Sequence, residues 1–66
     1  MSIYQECYIV QDLESQEFLY PDPSGDVGQT PYIKHAGVFH YVEDAIEAGE
    51  DLGVSFTLFK FYQPVD

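Results

Sequence analysis

The chain has 66 residues, 45% of them hydrophobic and 17% aromatic, and its twelve acidic and two basic residues give a net charge of -10. A chain of this length forms one domain, 1–66, with a small core, and its hydrophobic content excludes a disordered acidic tail. The charge excludes direct binding to nucleic acid or to anionic membranes and favours a partner with a basic surface.

Cys7 is the single cysteine, so an internal disulfide is excluded and a reducing compartment is expected. The sequence has no recognisable signal peptide, transmembrane run or lipidation motif. We therefore expect a cytoplasmic protein with no membrane partner.

Two strands are predicted at the start of the chain. Residues 3–12, IYQECYIVQD, place apolar side chains on both faces of an extended segment, which indicates a central strand or a strand whose second face is covered. One face is predicted to hold Ile3, Cys7 and Ile9, and the other Tyr4, Tyr8 and Val10. After a polar turn at 13–16, residues 17–20, EFLY, predict the second strand of a hairpin.

The middle of the chain is predicted to be irregular. Residues 21–30, PDPSGDVGQT, contain two prolines and two glycines and indicate a long loop. Residues 22–26 faintly resemble a calcium loop, but they lack the regular spacing of oxygen ligands and a closing Glu, so a plain turn is favoured. Residues 38–41 predict a short strand that leads into a helix.

One amphipathic helix is predicted over residues 41–53, YVEDAIEAGEDLG. Its buried stripe consists of apolar and small residues at helical spacing. These residues are Val42, Ala45, Ile46, Gly49 and Leu52. Gly53 is placed to end the helix in a left-handed conformation.

Residues 54–63, VSFTLFKFYQ, predict a last strand with either a bulge or burial on both faces. The elements together predict an α+β fold. Its core is a small antiparallel sheet of three or four strands, in the order β-β-loop-β-α-β, with one acidic amphipathic helix packed on one face.

Residues suited to catalysis or metal binding are sparse. His35, His40 and Cys7 do not lie at a chelating spacing. In an apolar strand, Cys7 is expected to be a core side chain rather than a nucleophile. The sequence shows no catalytic triad, phosphate-binding loop or dinucleotide fingerprint. We expect no enzymatic activity, no cofactor and no metal site.

The predicted helix carries a set of carboxylates that we call the acidic strip. The acidic strip consists of Glu43, Asp44, Glu47, Glu50 and Asp51. No Lys or Arg of the helix pairs with them, and two lie near the C-terminal end, where the helix dipole disfavours negative charge. A second acidic patch is predicted from Glu17, Asp22 and Asp26. Both are candidate partner-binding surfaces, with Tyr4, Tyr8 and Tyr62 as candidate rim contacts or core residues.

The charge density of the acidic strip is similar to that of DNA. Its five charges span about 12 Å of helix, or about one charge per 2.4 Å. Duplex DNA presents about one charge per 1.7 Å of its axis. Two interpretations stay open: the strip mimics DNA towards a DNA-binding protein, or it only keeps a small protein soluble.

The segment HAGVFHYVEDAIEAGEDLGVSFTLFKF resembles a recurrent pattern of small phage and mobile-element proteins, in which a hairpin is followed by a strand, a helix that opens with Glu-Asp-Ala and a last strand. The match is carried by Ala36, Phe39, Glu43, Asp44 and Ala45, and the FLYPD of the hairpin is compatible with it. The sequence departs from the pattern at Tyr41, where a Ser or Asp helix cap is common.

In size, acidity and lack of catalytic residues the chain also resembles anti-CRISPR proteins, a class that shares no sequence motif. The resemblance implies a monomeric, phage-derived inhibitor that occupies the DNA-binding site of a Cas effector, including type I interference complexes, inside the bacterial host. A generic phage accessory protein whose acidity serves only solubility is the alternative. A small calcium-binding or metal-binding regulator is a further one.

Overall fold

A computed structural model describes residues 3–65 and shows an α+β fold with four strands and one α-helix. In chain order the elements are β1 (Tyr4–Asp12), β2 (Phe18–Pro21), β3 (Val27–Thr30), a short 3-10 helix (Ile33–His35), α1 (Val42–Leu52) and β4 (Phe56–Pro64). The sheet is antiparallel with the strand order β3-β2-β1-β4. The predicted fold class is therefore confirmed.

The third strand lies elsewhere than predicted. Residues 27–30, which the sequence assigns to a loop, form β3, whereas residues 38–41 contribute only a single bridge between Phe39 and Tyr8. The Tyr8 N–H donates to the Phe39 carbonyl at 2.8 Å, and the Phe39 N–H donates to the Tyr8 carbonyl at 2.9 Å. β2 and β3 form a hairpin around the turn at 22–26, and the Pro and Gly content that predicts this turn does not indicate that Val27–Thr30 continues as a strand.

The central position predicted for the first strand is confirmed, because β1 pairs with β2 on one side and with β4 on the other. The β1–β4 ladder is continuous from the Tyr4–Pro64 pair to the Asp12–Phe56 pair. The last strand therefore has no bulge; its first three residues and Phe61 are partly buried and its other residues are exposed, so the predicted burial on both faces is only partial. Cys7 has no exposed surface, as expected of a small core side chain.

The core lies between the sheet and α1. Its buried members come from β1, β2 and α1, and partly buried side chains of β3, β4 and the segment before the helix surround them. The buried members are Tyr8, Val10, Leu19, Ala45 and Ala48. Residues opposite each other in an antiparallel ladder share a face, so the even-numbered residues of β1 and β4 face the helix. The odd-numbered residues form the face that α1 does not cover, which we call the open face, although Cys7 is fully buried there.

Candidate acidic interaction surface

The helix α1 is the platform of the candidate site. It begins at Val42, after an extended Tyr41 that provides no side-chain cap, and it ends at Gly53 with φ 74°. The Gly53 N–H donates to the carbonyls of Gly49 and Glu50, both at 3.1 Å, so the left-handed end predicted from the sequence is confirmed.

The buried face of α1 is rotated from the predicted stripe. Ala45, Ala48 and Gly49 are buried, whereas Ile46 is 38% exposed. The prediction for Ile46 is therefore wrong, and the contribution of Ala48 was missed. The short side chains of Ala48 and Gly49 let the helix approach the sheet closely: a Cβ on Gly49 would overlap the Phe56 ring. This close packing positions α1 with its charged face outward.

All five carboxylates of the acidic strip are exposed. At 100° per residue they fall within a continuous arc of about 120° on the side of α1 that faces away from the sheet. The strip has no basic residue in its last helical turn. Because the helix holds its backbone fixed, the charges stand together on an ordered surface.

One side of the acidic strip forms the wall of a groove. Asp44, Glu47 and Asp51 project from α1, and Asp26 faces them from the turn between β2 and β3. The groove has a volume of about 290 Å³ and is also lined by apolar side chains. Those apolar residues are Pro21, Val27, Phe39 and Ala48. The groove therefore combines four carboxylates with four apolar residues.

The second patch predicted from the sequence is divided by the structure. Asp26 joins the helix acids, but Asp22 uses its carboxylate within the turn, where it accepts hydrogen bonds from the backbone N–H and the hydroxyl of Ser24, both at 2.9 Å. These hydrogen bonds lower the pKa of Asp22. Glu17 comes just before β2 and Asp22 just after it. Five residues of extended chain separate them by about 16 Å. Glu17 does not line the groove.

Two other carboxylates serve the fold. Glu6 accepts a hydrogen bond from the Tyr8 hydroxyl and forms an ion pair with Lys60 at 3.2 Å. The Tyr8 hydroxyl, and then Lys60, lower the pKa of Glu6. Asp12 is only 3% exposed and accepts hydrogen bonds from the Glu14 N–H at 2.8 Å and from the Gln29 amide at 2.5 Å. These two carboxylates are committed to internal partners.

The structure also places the three tyrosines that the sequence singled out. Tyr4 is 62% and Tyr62 is 57% exposed, and together they line an apolar depression at the far end of the β1–β4 ladder. Tyr8 is buried in the core. None of the three borders the groove beside α1, so they are not a rim for the acidic strip.

A larger and less charged depression, about 500 Å³, lies beside β2, β3 and the 3-10 helix. It is lined by Tyr20, Gln29, Thr30, Pro31, Tyr32 and His35. The rings of Tyr32 and His35 meet edge to face with centroids 6.0 Å apart. His35 therefore has an aromatic neighbour on a surface segment.

Within residues 3–65 no group of three or more His, Cys, Asp or Glu side chains is arranged to hold a metal ion. In the same part of the chain, no helix is long and apolar enough to cross a membrane.

Comparison of the chain with protein-family models, with curated proteins and with solved structures gives no match.

Proposed function

We propose that this protein is a non-enzymatic inhibitor that uses its acidic strip to occupy the DNA-binding site of a basic partner protein. The observation that carries the proposal is the exposure of five carboxylates along one continuous arc of α1, with Asp26 beside them across the groove. The proposed contact residues are the acidic strip and Asp26. Asp22 and Glu17 take a lesser part, because the Asp22 carboxylate is held within its turn and Glu17 lies beyond the other end of β2.

The placement of the charges supports mimicry over a general solubilising role. The two other carboxylates with internal partners, Glu6 and Asp12, belong to β1 and not to the helix that carries the strip. Lys60, one of the two lysines, pairs with Glu6. The strip is thus left with a strong negative field on a rigid helix, and such a field speeds encounter with a basic surface.

The proposed mechanism is occupancy. Long-range attraction brings the partner to α1, and the Lys and Arg side chains that would hold DNA phosphates pair with the strip carboxylates instead. The apolar lining of the groove, which includes Val27 and Phe39, receives the aliphatic part of one long basic side chain. No bond is made or broken, so inhibition is stoichiometric.

The partner class that we propose is a Cas effector, in particular a type I interference complex, which places the protein among anti-CRISPR inhibitors acting in the cytoplasm of a bacterial host. This assignment rests on the class resemblance in size and acidity and on the match between the strip and a DNA phosphate array. An accessory protein whose charge serves only solubility is the alternative.

A matched pair of charge reversals tests the proposal. Glu47→Lys and Glu14→Lys change the net charge equally, and both residues are exposed, but only Glu47 lies in the strip. The assay measures release of target DNA from purified type I complexes in a gel-shift titration. We expect Glu47→Lys to raise the inhibitory concentration by about tenfold or more, equivalent to about 1.4 kcal/mol of binding, and Glu14→Lys to change it little.

Salt provides a second readout. Inhibition by ion pairing should weaken steeply between low and moderate ionic strength. Equal potency of the two variants, or inhibition that does not respond to salt, would show that the strip is a solubilising surface. Failure of the wild-type protein to displace DNA from any complex tested would refute the Cas assignment.

A further inference from the structure

Strand β4 is a long edge of the sheet. Among residues 3–65 it pairs only with β1, and it is nine residues long, whereas the other edge strand, β3, has four. Proteins usually protect long edges with charges, bulges, prolines or a covering segment. In β4 the ladder to β1 is unbroken, and the protection consists of Lys60 and the terminal Pro64.

The hydrogen bonds around β1 show which groups of β4 face outward. The N–H and C=O of Tyr8 are both bonded to Phe39, on the side away from β4. At the two ends of the β1–β4 ladder, the Leu13 N–H donates to the Ser55 carbonyl and the Val65 N–H donates to the Ile3 carbonyl. Along an antiparallel ladder, hydrogen-bonded and non-hydrogen-bonded residue pairs alternate. The odd-numbered residues of β1 and β4 therefore form the main-chain hydrogen bonds between these two strands. The outward-facing donors and acceptors belong to Phe56, Leu58, Lys60 and Tyr62.

The surface along this edge differs from the rest of the molecule. Strand β4 contains no carboxylate and one lysine, in a chain with a net charge of -10. Its side chains Phe59 and Tyr62 are 47% and 57% exposed. Gly49 packs on Phe56, and Ile46, one turn earlier on the same flank of α1, is 38% exposed. The flank of the helix towards β4 is thus apolar, whereas the acidic groove lies on the other flank.

We propose that β4 pairs with β4 of a second copy of this chain, antiparallel and about a two-fold axis at Phe59. In this register Leu58 lies opposite Lys60 of the copy, and Phe56 lies opposite Tyr62. The outward groups then form about eight main-chain hydrogen bonds, two in each of four residue pairs. On the open face Phe59 meets its own copy, and aromatic cross-strand pairs of this kind are stabilising.

Two alternative registers have specific faults. An axis at Lys60 places two ammonium groups directly opposite each other, which is destabilising. An axis at Phe61 places Leu58 opposite Pro64, which has no N–H to donate. The Phe59 register avoids both faults. A second copy is favoured over another partner because β4 is self-complementary in this register. Although the whole chain is acidic, β4 contains no carboxylate, so two paired β4 strands place no carboxylates opposite each other.

Charge repulsion opposes this dimer, since two copies bring their negative charges together. Added salt screens that repulsion, so the dimer dissociation constant should fall as ionic strength rises. The proposed inhibition should respond in the opposite direction. Because the acidic strip and β4 lie on different surfaces, failure of one proposal leaves the other intact.

Sedimentation equilibrium of the full chain, from micromolar to millimolar concentration and at two salt concentrations, tests the assembly. We expect a reversible monomer–dimer equilibrium that shifts to dimer at higher salt. Phe59→Lys places two charges at the axis and should raise the dissociation constant by about tenfold or more, while Phe59→Tyr should keep the dimer. Circular dichroism checks that each variant is folded.

Cysteine cross-linking tests the register. In the proposed dimer, Phe59→Cys brings two thiols across a pair whose Cα atoms are about 4.5 Å apart, within the range of a disulfide. Thr57→Cys is the control, on the same face of the same strand. In this register position 57 of one copy is four residues along the ladder from position 57 of the other, about 13 Å by strand rise. We therefore expect rapid disulfide-linked dimer from Phe59→Cys alone.

Three outcomes would overturn the proposal. The first is a wild-type chain that stays monomeric at millimolar concentration in high salt. The second is a Phe59→Lys variant that is folded and dimerises as the wild type does. The third is cross-linking of Thr57→Cys at the rate of Phe59→Cys, which would require another arrangement.

Discussion

At the scale of single residues, Asp12 shows how this acidic chain keeps a carboxylate inside. Its side chain is 3% exposed and closes the β1–β2 turn through the N–H of Glu14, and it also reaches Gln29 on β3. The Glu14 N–H is the largest of the influences that lower the pKa of Asp12, with Gln29 and Ser15 adding to it, and desolvation opposes them. The ionised form of Asp12 therefore stabilises the fold.

Replacing Asp12 by Asn should destabilise the protein in a pH-dependent way. The folded-state pKa is lower than the unfolded value of about 3.9, so the stabilisation is complete above that value and is lost as the pH falls through the folded pKa. Urea unfolding at neutral pH should show a lower midpoint for Asp12→Asn than for wild type, and the difference should shrink in acid. Glu14→Gln, at an exposed neighbour, is the control; a midpoint difference independent of pH would contradict this explanation.

At the scale of elements, the contact between α1 and β4 is set by Gly49. A helix interior normally disfavours glycine by about 1 kcal/mol relative to alanine. Here the missing side chain makes room for the Phe56 ring, and the helix seats directly on the sheet. This contact fixes the rotation of α1, which leaves Ile46 partly exposed and directs the acidic strip outward.

Gly49→Ala should therefore lower the free energy of unfolding, although alanine has a higher helix propensity than glycine. The added methyl group overlaps Phe56, and overpacking of this kind costs about 1–3 kcal/mol, more than the propensity gain. Urea denaturation gives the value, and the difference between Glu50→Gly and Glu50→Ala, two variants of equal charge at an exposed neighbour in the same turn, reports propensity without overlap. An equally stable or more stable Gly49→Ala would mean that Phe56 moves aside freely.

At the scale of the whole molecule, the charge is distributed unevenly. The acidic strip and Asp26 lie around one flank of α1, whereas β4 carries a lysine and no carboxylate. Acids near the C-terminal end of α1 oppose the helix dipole, so Glu50 and Asp51 weaken the element that carries them. A surface selected for stability alone would place lysine at the C-terminal end of the helix. The acids found there instead are consistent with a role in binding.

The same imbalance predicts that salt stabilises the fold. With a net charge of -10, repulsion between carboxylates destabilises the compact state, and added ions screen it. The melting temperature should rise between low and moderate sodium chloride, and the rise should be smaller for Glu50→Gln, which removes one charge of the strip. A melting temperature that falls with salt would show that ion pairs, such as Lys60 with Glu6, dominate instead.

The sequence by itself determined the features that depend on local pattern. The extent of α1, its glycine end, the central β1 and the exposure of the acidic strip follow from helical or strand periodicity and from backbone preference, which act within a few residues. The candidate strip could therefore be predicted before its surroundings were known. Its role as a binding surface stays a prediction.

Only the tertiary structure decided which segments pair and pack against each other. The pairing of Val27–Thr30 with β2 turned a predicted loop into a strand and carried Asp26 to the groove beside Asp44 and Glu47. The seating of Gly49 on Phe56 rotated α1 and exposed Ile46. The monomer expected from the sequence is likewise open to revision, because the outward hydrogen-bonding groups of β4 follow from its ladder with β1. These outcomes depend on which surfaces meet, and periodicity in one segment carries no information about its neighbour.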